Sequence, residues 1–136
     1  MASAPPRPTG WLATGGGDGW ARYRHPTLPL RLVVEVRRQA NACDPRGVAA
    51  RLAEQVIAAR PGAIVEFRQW GSFGTREVAV QVVGAVDSVL LQAVTGSGAD
   101  SDPLLVVVVA ATRRDADAAG AAFATVMSEL VAGGAP

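Results

Sequence analysis

Lysine is absent from this chain of 136 residues, and cysteine and histidine occur once each. All 13 cationic side chains are therefore arginine, against 12 carboxylates, for a formal net charge of +1. So balanced a charge gives no general attraction to nucleic acid or to anionic lipid, and no nucleic-acid partner is expected. The missing lysine, beside abundant Ala, Gly, Val and Arg, reflects GC-rich coding more than chemistry. A single Cys43 excludes an internal disulfide and a cysteine-based metal cluster, and reads as a buried thiol just before a helix. A single His25 excludes multi-histidine zinc sites. It stands before Pro26 at a strand end, the place of a structural or solvated residue rather than a general base.

The first residues, MASAPPRPTG, lack the basic and apolar segments of a signal peptide. The most apolar run, Pro103–Ala111 (PLLVVVVAA), is far too short for a bilayer. No integral membrane segment and a cytoplasmic location are the resulting expectations. With 49% hydrophobic and 18% charged residues the chain has the composition of a folded domain, and its length suits one.

What is present is mostly architecture. PLLVVVVAA is uninterrupted by polar side chains and rich in β-branched residues, which predicts a strand covered on both faces. Thr112 and Asp115 have capping-box spacing, and Ala116, Ala119, Phe123, Val126, Met127 and Leu130 then share a helical stripe. Leu30–Arg38 alternates as a strand, with Leu30, Leu32, Val34 and Val36 on one face and Arg31, Val33, Glu35 and Arg37 on the other. Asp44-Pro45 supplies an N-cap and first-turn proline for a helix striped by Val48, Leu52, Val56 and Ala59 and ended by Arg60-Pro61-Gly62. Trp20–His25 alternates as a shorter strand, and Gly15–Gly19 reads as a flexible turn between Trp11 and Trp20, not a phosphate cradle. Segments 63–70, 75–83 and 88–94 form a meander of three strands with short connections. The order predicts an α+β, single-domain α/β/α sandwich with a largely antiparallel sheet of about six strands and two main helices. Residues 1–10 are expected as a loose tail, 11–132 as the domain and 133–136 as a second tail.

That order, together with Trp20–Pro29, the glutamine-centred Leu90-Leu91-Gln92-Ala93-Val94 and the ending LLVVVVAAT…FATVMSELV, resembles the PsbP/Mog-like sandwich family over about residues 20–132. The family includes LpqN-type lipoproteins and Eag-type chaperones. The chain departs from the LpqN-type pattern in having no leader and no lipid-acceptor cysteine near its start. The resemblance implies a fold used mostly for binding other proteins, with no shared active site.

No catalytic constellation is evident. The serines lack a nucleophile-elbow context, and the Asp100–Asp102 loop lacks the later bidentate Glu of a calcium loop. No catalytic residue, cofactor or metal is expected, and the chain is not read as an enzyme. If the strands pair in the order read, alternation places Glu35, Glu66, Arg68, Trp70, Gln81 and Gln92 on one sheet face, with Phe73 extending it, opposite the apolar Val34, Val36, Val65, Phe67, Val80 and Leu91. A charge pair under a helix or open to water explains such a set structurally; a partly polar groove with an aromatic anchor explains it functionally. The functional reading is a protein partner bound by a non-catalytic adaptor or chaperone, with a homodimer possible. The alternative is a carrier holding a small apolar ligand between sheet and helix.

Overall fold

The computed structural model describes residues 5–38, 44–73, 76–96 and 103–132. Cys43, Asp100 and Asp102 lie outside them, as do residues 1–4 and 133–136 of the expected tails. Seven strands form one antiparallel sheet: β1 (Leu12–Gly17), β2 (Trp20–Arg24), β3 (Arg31–Arg37), β4 (Ile64–Phe73), β5 (Arg76–Gly84), β6 (Ser88–Gly96) and β7 (Leu104–Thr112), in the order β1-β2-β3-β7-β6-β5-β4. Helix α1 (Pro45–Ala59) carries the chain from β3 to the far edge, and the meander β4-β5-β6 returns it to β7. Strand β7 is thus central, and its alternation serves two cores. Leu105, Val107 and Val109 meet helix α2 (Ala116–Met127), while Leu104 and Val106 meet α1 on the opposite face.

Asp44 Oδ1 accepts the Gly47 amide at 2.7 Å and Pro45 opens α1, as their residue types predict. The stripe of α1 turns slightly from the expected one, because the sheet takes Ala49 and Ala53 as well as Val48 and Leu52 and leaves Ala59 exposed. Small residues there let the helix approach the strands closely. Helix α2 buries Ala119, Phe123 and Val126, followed by Leu130. Its start differs from the capping-box expectation. Thr112 Oγ1 donates to the Asp115 carboxylate at 2.9 Å rather than capping a backbone amide, and the turn Arg113–Asp115 is a 3-10 helix.

The additional strand is β1, where the glycines were expected to make a flexible turn. They pair with β2 instead, and the turn itself is confined to Asp18-Gly19. Here the glycines make room for large cross-strand neighbours. The Trp20 indole covers Gly17 so closely that a Cβ would stand 2.6 Å from its Nε1.

Part of the expected N-terminal tail is also placed. Pro8 is buried, and the Thr9 amide donates to Glu129 Oε1 at 2.7 Å, beyond the end of α2. Trp11 packs edge-on against His25 with ring centroids 5.1 Å apart. His25 Nδ1 accepts the amides of Thr27 and Leu28 at 3.2 and 3.0 Å, which gives this histidine a turn-forming role. Deletion of residues 1–7 should therefore leave the melting temperature unchanged. Deletion of 1–10 should cost about 1 kcal/mol, the net worth of the lost hydrogen bonding. Thermal melts of the two truncations check this, and equal melting temperatures would show that the Thr9–Glu129 contact contributes nothing.

Candidate functional site

Three cross-strand rows define the α1 face of the sheet. One runs Arg68–Gln81–Gln92–Val108–Val33–Arg22, and a second runs Trp70–Ala79–Val94–Val106–Glu35–Trp20. The third runs Val83–Leu90–Ala110–Arg31–Arg24. Five of the expected site residues, Glu35, Arg68, Trp70, Gln81 and Gln92, thus do share a face, but the rows stretch them across it. Glu35 lies four pairings from Trp70, about 19 Å at the usual strand spacing. It forms an ion pair with Arg37, its neighbour on the same face of β3.

Glu66 departs from the expected face, and a β-bulge between Val65 and Phe67 is the reason. Two residues of β4 oppose one of β5 there, so strict alternation fails and Glu66 swings to the α2 side. Its carboxylate lies over Gly84, where no side chain competes for the space, and pairs with Arg113 through bonds of 2.8 and 3.1 Å. The hydrogen bond from Arg113 holds the Glu66 carboxyl below its ordinary pKa. The bulge and the flanking charges also suit β4's position at the sheet edge, since both discourage pairing with another chain. Phe73 closes β4 opposite Arg76.

Gln81 and Gln92 lie beneath α1, 0% and 3% exposed. Gln81 Nε2 donates to the Ala49 carbonyl of α1 at 2.6 Å and to Gln92 Oε1 at 2.8 Å. Gln81 Oε1 accepts Nε and a terminal nitrogen of Arg68 at 3.1 and 3.0 Å. All four hydrogen-bonding positions of this amide are used, so it fastens the helix to the sheet. From this network Arg68 reaches the surface, its guanidinium 5.4 Å from the Trp70 ring centroid, with Arg46 of α1 at 6.0 Å. Trp70 is half-buried at the margin of the α1 core. It presents a ring already flanked by two cations.

On the other flank of α1 the sheet is open. A seven-stranded sheet is about 29 Å wide, and one helix about 10 Å. Helix α1 packs on β5 and β6, touches β4 and shares a core with Leu104 and Val106 of β7, with Val108 at its margin, so no described element packs over β2, β3 and the Ala110 end of β7 on this face. Val33, Leu90, Val108 and Ala110 form the half-buried floor of a cleft of about 560 Å³. Arg22, Arg24 and Arg31 stand exposed along it. It continues into a second cleft of about 510 Å³ bounded by Arg24, Arg31 and Arg60, where Arg60 donates to Ser88 Oγ at 2.7 Å. Among the described residues, no carboxylate lines either cleft. Both clefts lie outside the sheet rather than between sheet and helix, where an apolar-ligand carrier would need its cavity.

Sequence reasoning missed this trough although its signal was present. Alternation in Trp20–Arg24 and Leu30–Arg38 sets Arg22, Arg24, Arg31 and Val33 facing one way in their strands. What was missing was the pairing of β2 with β3 and the placement of α1 over the other half. No helix among the described residues is long and apolar enough to cross a membrane.

No family model and no curated protein matches the chain by sequence. Solved structures do match in shape. The Ran-binding protein Mog1p of Saccharomyces cerevisiae superposes with a TM-score of 0.52 at 12% identity, covering 85% of this chain and 76% of its own. A point mutant of protein Mog1 gives a TM-score of 0.51 at 13% identity, covering 83% and 74%. Identity this low speaks to architecture alone, and on architecture the agreement takes in the antiparallel sheet and its two helices. The chain carries a Mog1-like, PsbP-type α/β/α sandwich fold.

Proposed function

We propose that this chain is a non-catalytic protein-binding module, an adaptor or chaperone for a secreted or assembling partner. The observation that carries the proposal is the half-covered α1 face, where a floor of Val33, Leu90, Val108 and Ala110 lies open beneath a rim of arginines. Half-buried apolar surface beside guanidinium groups is the composition favoured at protein contacts. The likeness to a Ran-binding protein supports the reading by analogy of fold. A standard interface covers about 800 Å² of each partner, close to the extent of this whole face. A partner lying along α1 would reach the trough on one side and Arg68 and Trp70 on the other.

The test starts with purification of the tagged chain from its native host and identification of a stoichiometric protein by mass spectrometry. Trp70→Ala should then weaken capture of that partner at least about tenfold, the range of an aromatic hot spot. Its melting temperature should fall less than for a truncation in the core. Arg68→Ala should weaken capture less, because its charge is exposed. A Trp70→Ala chain that unfolds, or one that folds and binds normally, removes Trp70 from the interface. Recovery of a stoichiometric small molecule and no protein would overturn the module itself.

A further inference from the structure

Resting on that reading, we propose that the trough beside α1 binds an acidic amphipathic helix of the partner protein, laid next to α1 as the missing member of its layer. Three observations converge. The first is width: α1 occupies β5 and β6, and helices in one layer sit about 8–10 Å apart, or two strands over. That displacement from α1 falls on β3 and its pairing with β7, where Val33 and Val108 belong to the half-buried floor. The second is chemistry: the floor is aliphatic and suits Leu or Ile at helical i, i+3, i+4, i+7 spacing.

The third is charge. Arg22, Arg24, Arg31 and Arg60 are exposed around the floor, with no carboxylate among the described residues lining it. Glu or Asp on the flanks of an incoming helix would meet guanidinium forks suited to bidentate pairing. A second copy of this chain is a poor occupant, because its own α1 (PRGVAARLAEQVIAA) has one carboxylate against two arginines. Nucleic acid is disfavoured because phosphates would leave the aliphatic floor unmatched.

The test uses the full chain and a blocked, helix-forming peptide of about 18 residues with Leu at i, i+3, i+4, i+7 spacing and Glu on both flanks. A second peptide has Lys in place of each Glu, and a short DNA duplex is the nucleic-acid probe. The Glu peptide should bind at least about tenfold tighter than the Lys peptide, weaken with added salt, and shift the NMR signals of Val33, Leu90 and Val108. Arg24→Glu/Arg31→Glu, both at exposed positions, should keep its melting temperature and reverse the preference between the peptides.

Equal affinity for the two peptides, tighter binding of DNA, or shifts confined to the Trp70 side would each overturn the acidic-helix assignment. So would no binding of the Glu peptide at about millimolar concentration, far weaker than specific recognition requires. These failures are distinct from failure of the module. A native partner captured by the wild-type chain and retained by Arg24→Glu/Arg31→Glu leaves protein binding standing and removes only the acidic helix.

Discussion

Val107→Asp is expected to remove a large part of the chain's folding stability. Val107 is 0% exposed in the middle of the central strand, paired with Val34 on one side and Ala93 on the other. It faces the core that Phe123 and Val126 of α2 complete. A carboxylate there gives up its hydration with no cation in that core to receive it. Even when protonated it forfeits apolar burial and leaves a polar group without a partner. The loss should exceed about 4 kcal/mol, against a total of about 5–15 kcal/mol for a domain of this size. Val109→Asp, two positions along on the same face and also 0% exposed, should behave alike. Denaturant titration followed by circular dichroism checks both. A wild-type midpoint in either variant would show that β7 does not hold the centre of the sheet.

Strand β7 was legible in the sequence where the environment of the polar residues was not, and the reason is physical. A run such as LLVVVV states its own environment, because no exposed strand tolerates that surface on both sides. A glutamine in an alternating strand does not. Gln81 and Gln92 lie on the same side as Arg68, but alternation cannot say whether that side meets water or a helix. Glu66 was lost for a different reason: it is the extra residue of a bulge in β4, so the parity that holds for Arg68 and Trp70 does not carry back to it. In β1 the glycines lack the side chains that mark a strand, and pairing becomes visible only once Trp20 and Arg22 are seen covering Gly17 and Gly15. The trough lies one step further from the sequence. Its residues were legible strand by strand, whereas its openness depends on where a helix lands on the completed sheet.

The buried amide network leads to an expectation that sets a structural role for Gln81 against a surface role. Gln81→Ala should destabilise the chain by about 3 kcal/mol, through a cavity beneath α1 and the desolvated partners left behind. Gln81→Leu fills most of that volume, yet Gln92 Oε1 and Arg68 still lose their partner, so a cost of about 2 kcal/mol should remain. Replacing both amides, in Gln81→Leu/Gln92→Leu, removes the paired groups together. That double variant should therefore be less destabilised than the sum of the single Leu variants, by roughly 1 kcal/mol or more for residues in direct contact. The Ala49 carbonyl still lies within its own helix, so the loss should appear as loosening of α1 rather than of α2. Amide exchange along Pro45–Ala59 should accelerate in Gln81→Leu while exchange in Ala116–Met127 remains near wild type. Strict additivity of the two Leu substitutions, or equal acceleration of both helices, would show that Gln81 is not the fastening of α1. Unchanged stability in Gln81→Ala would return the residue to the candidate surface on which its strand parity first placed it.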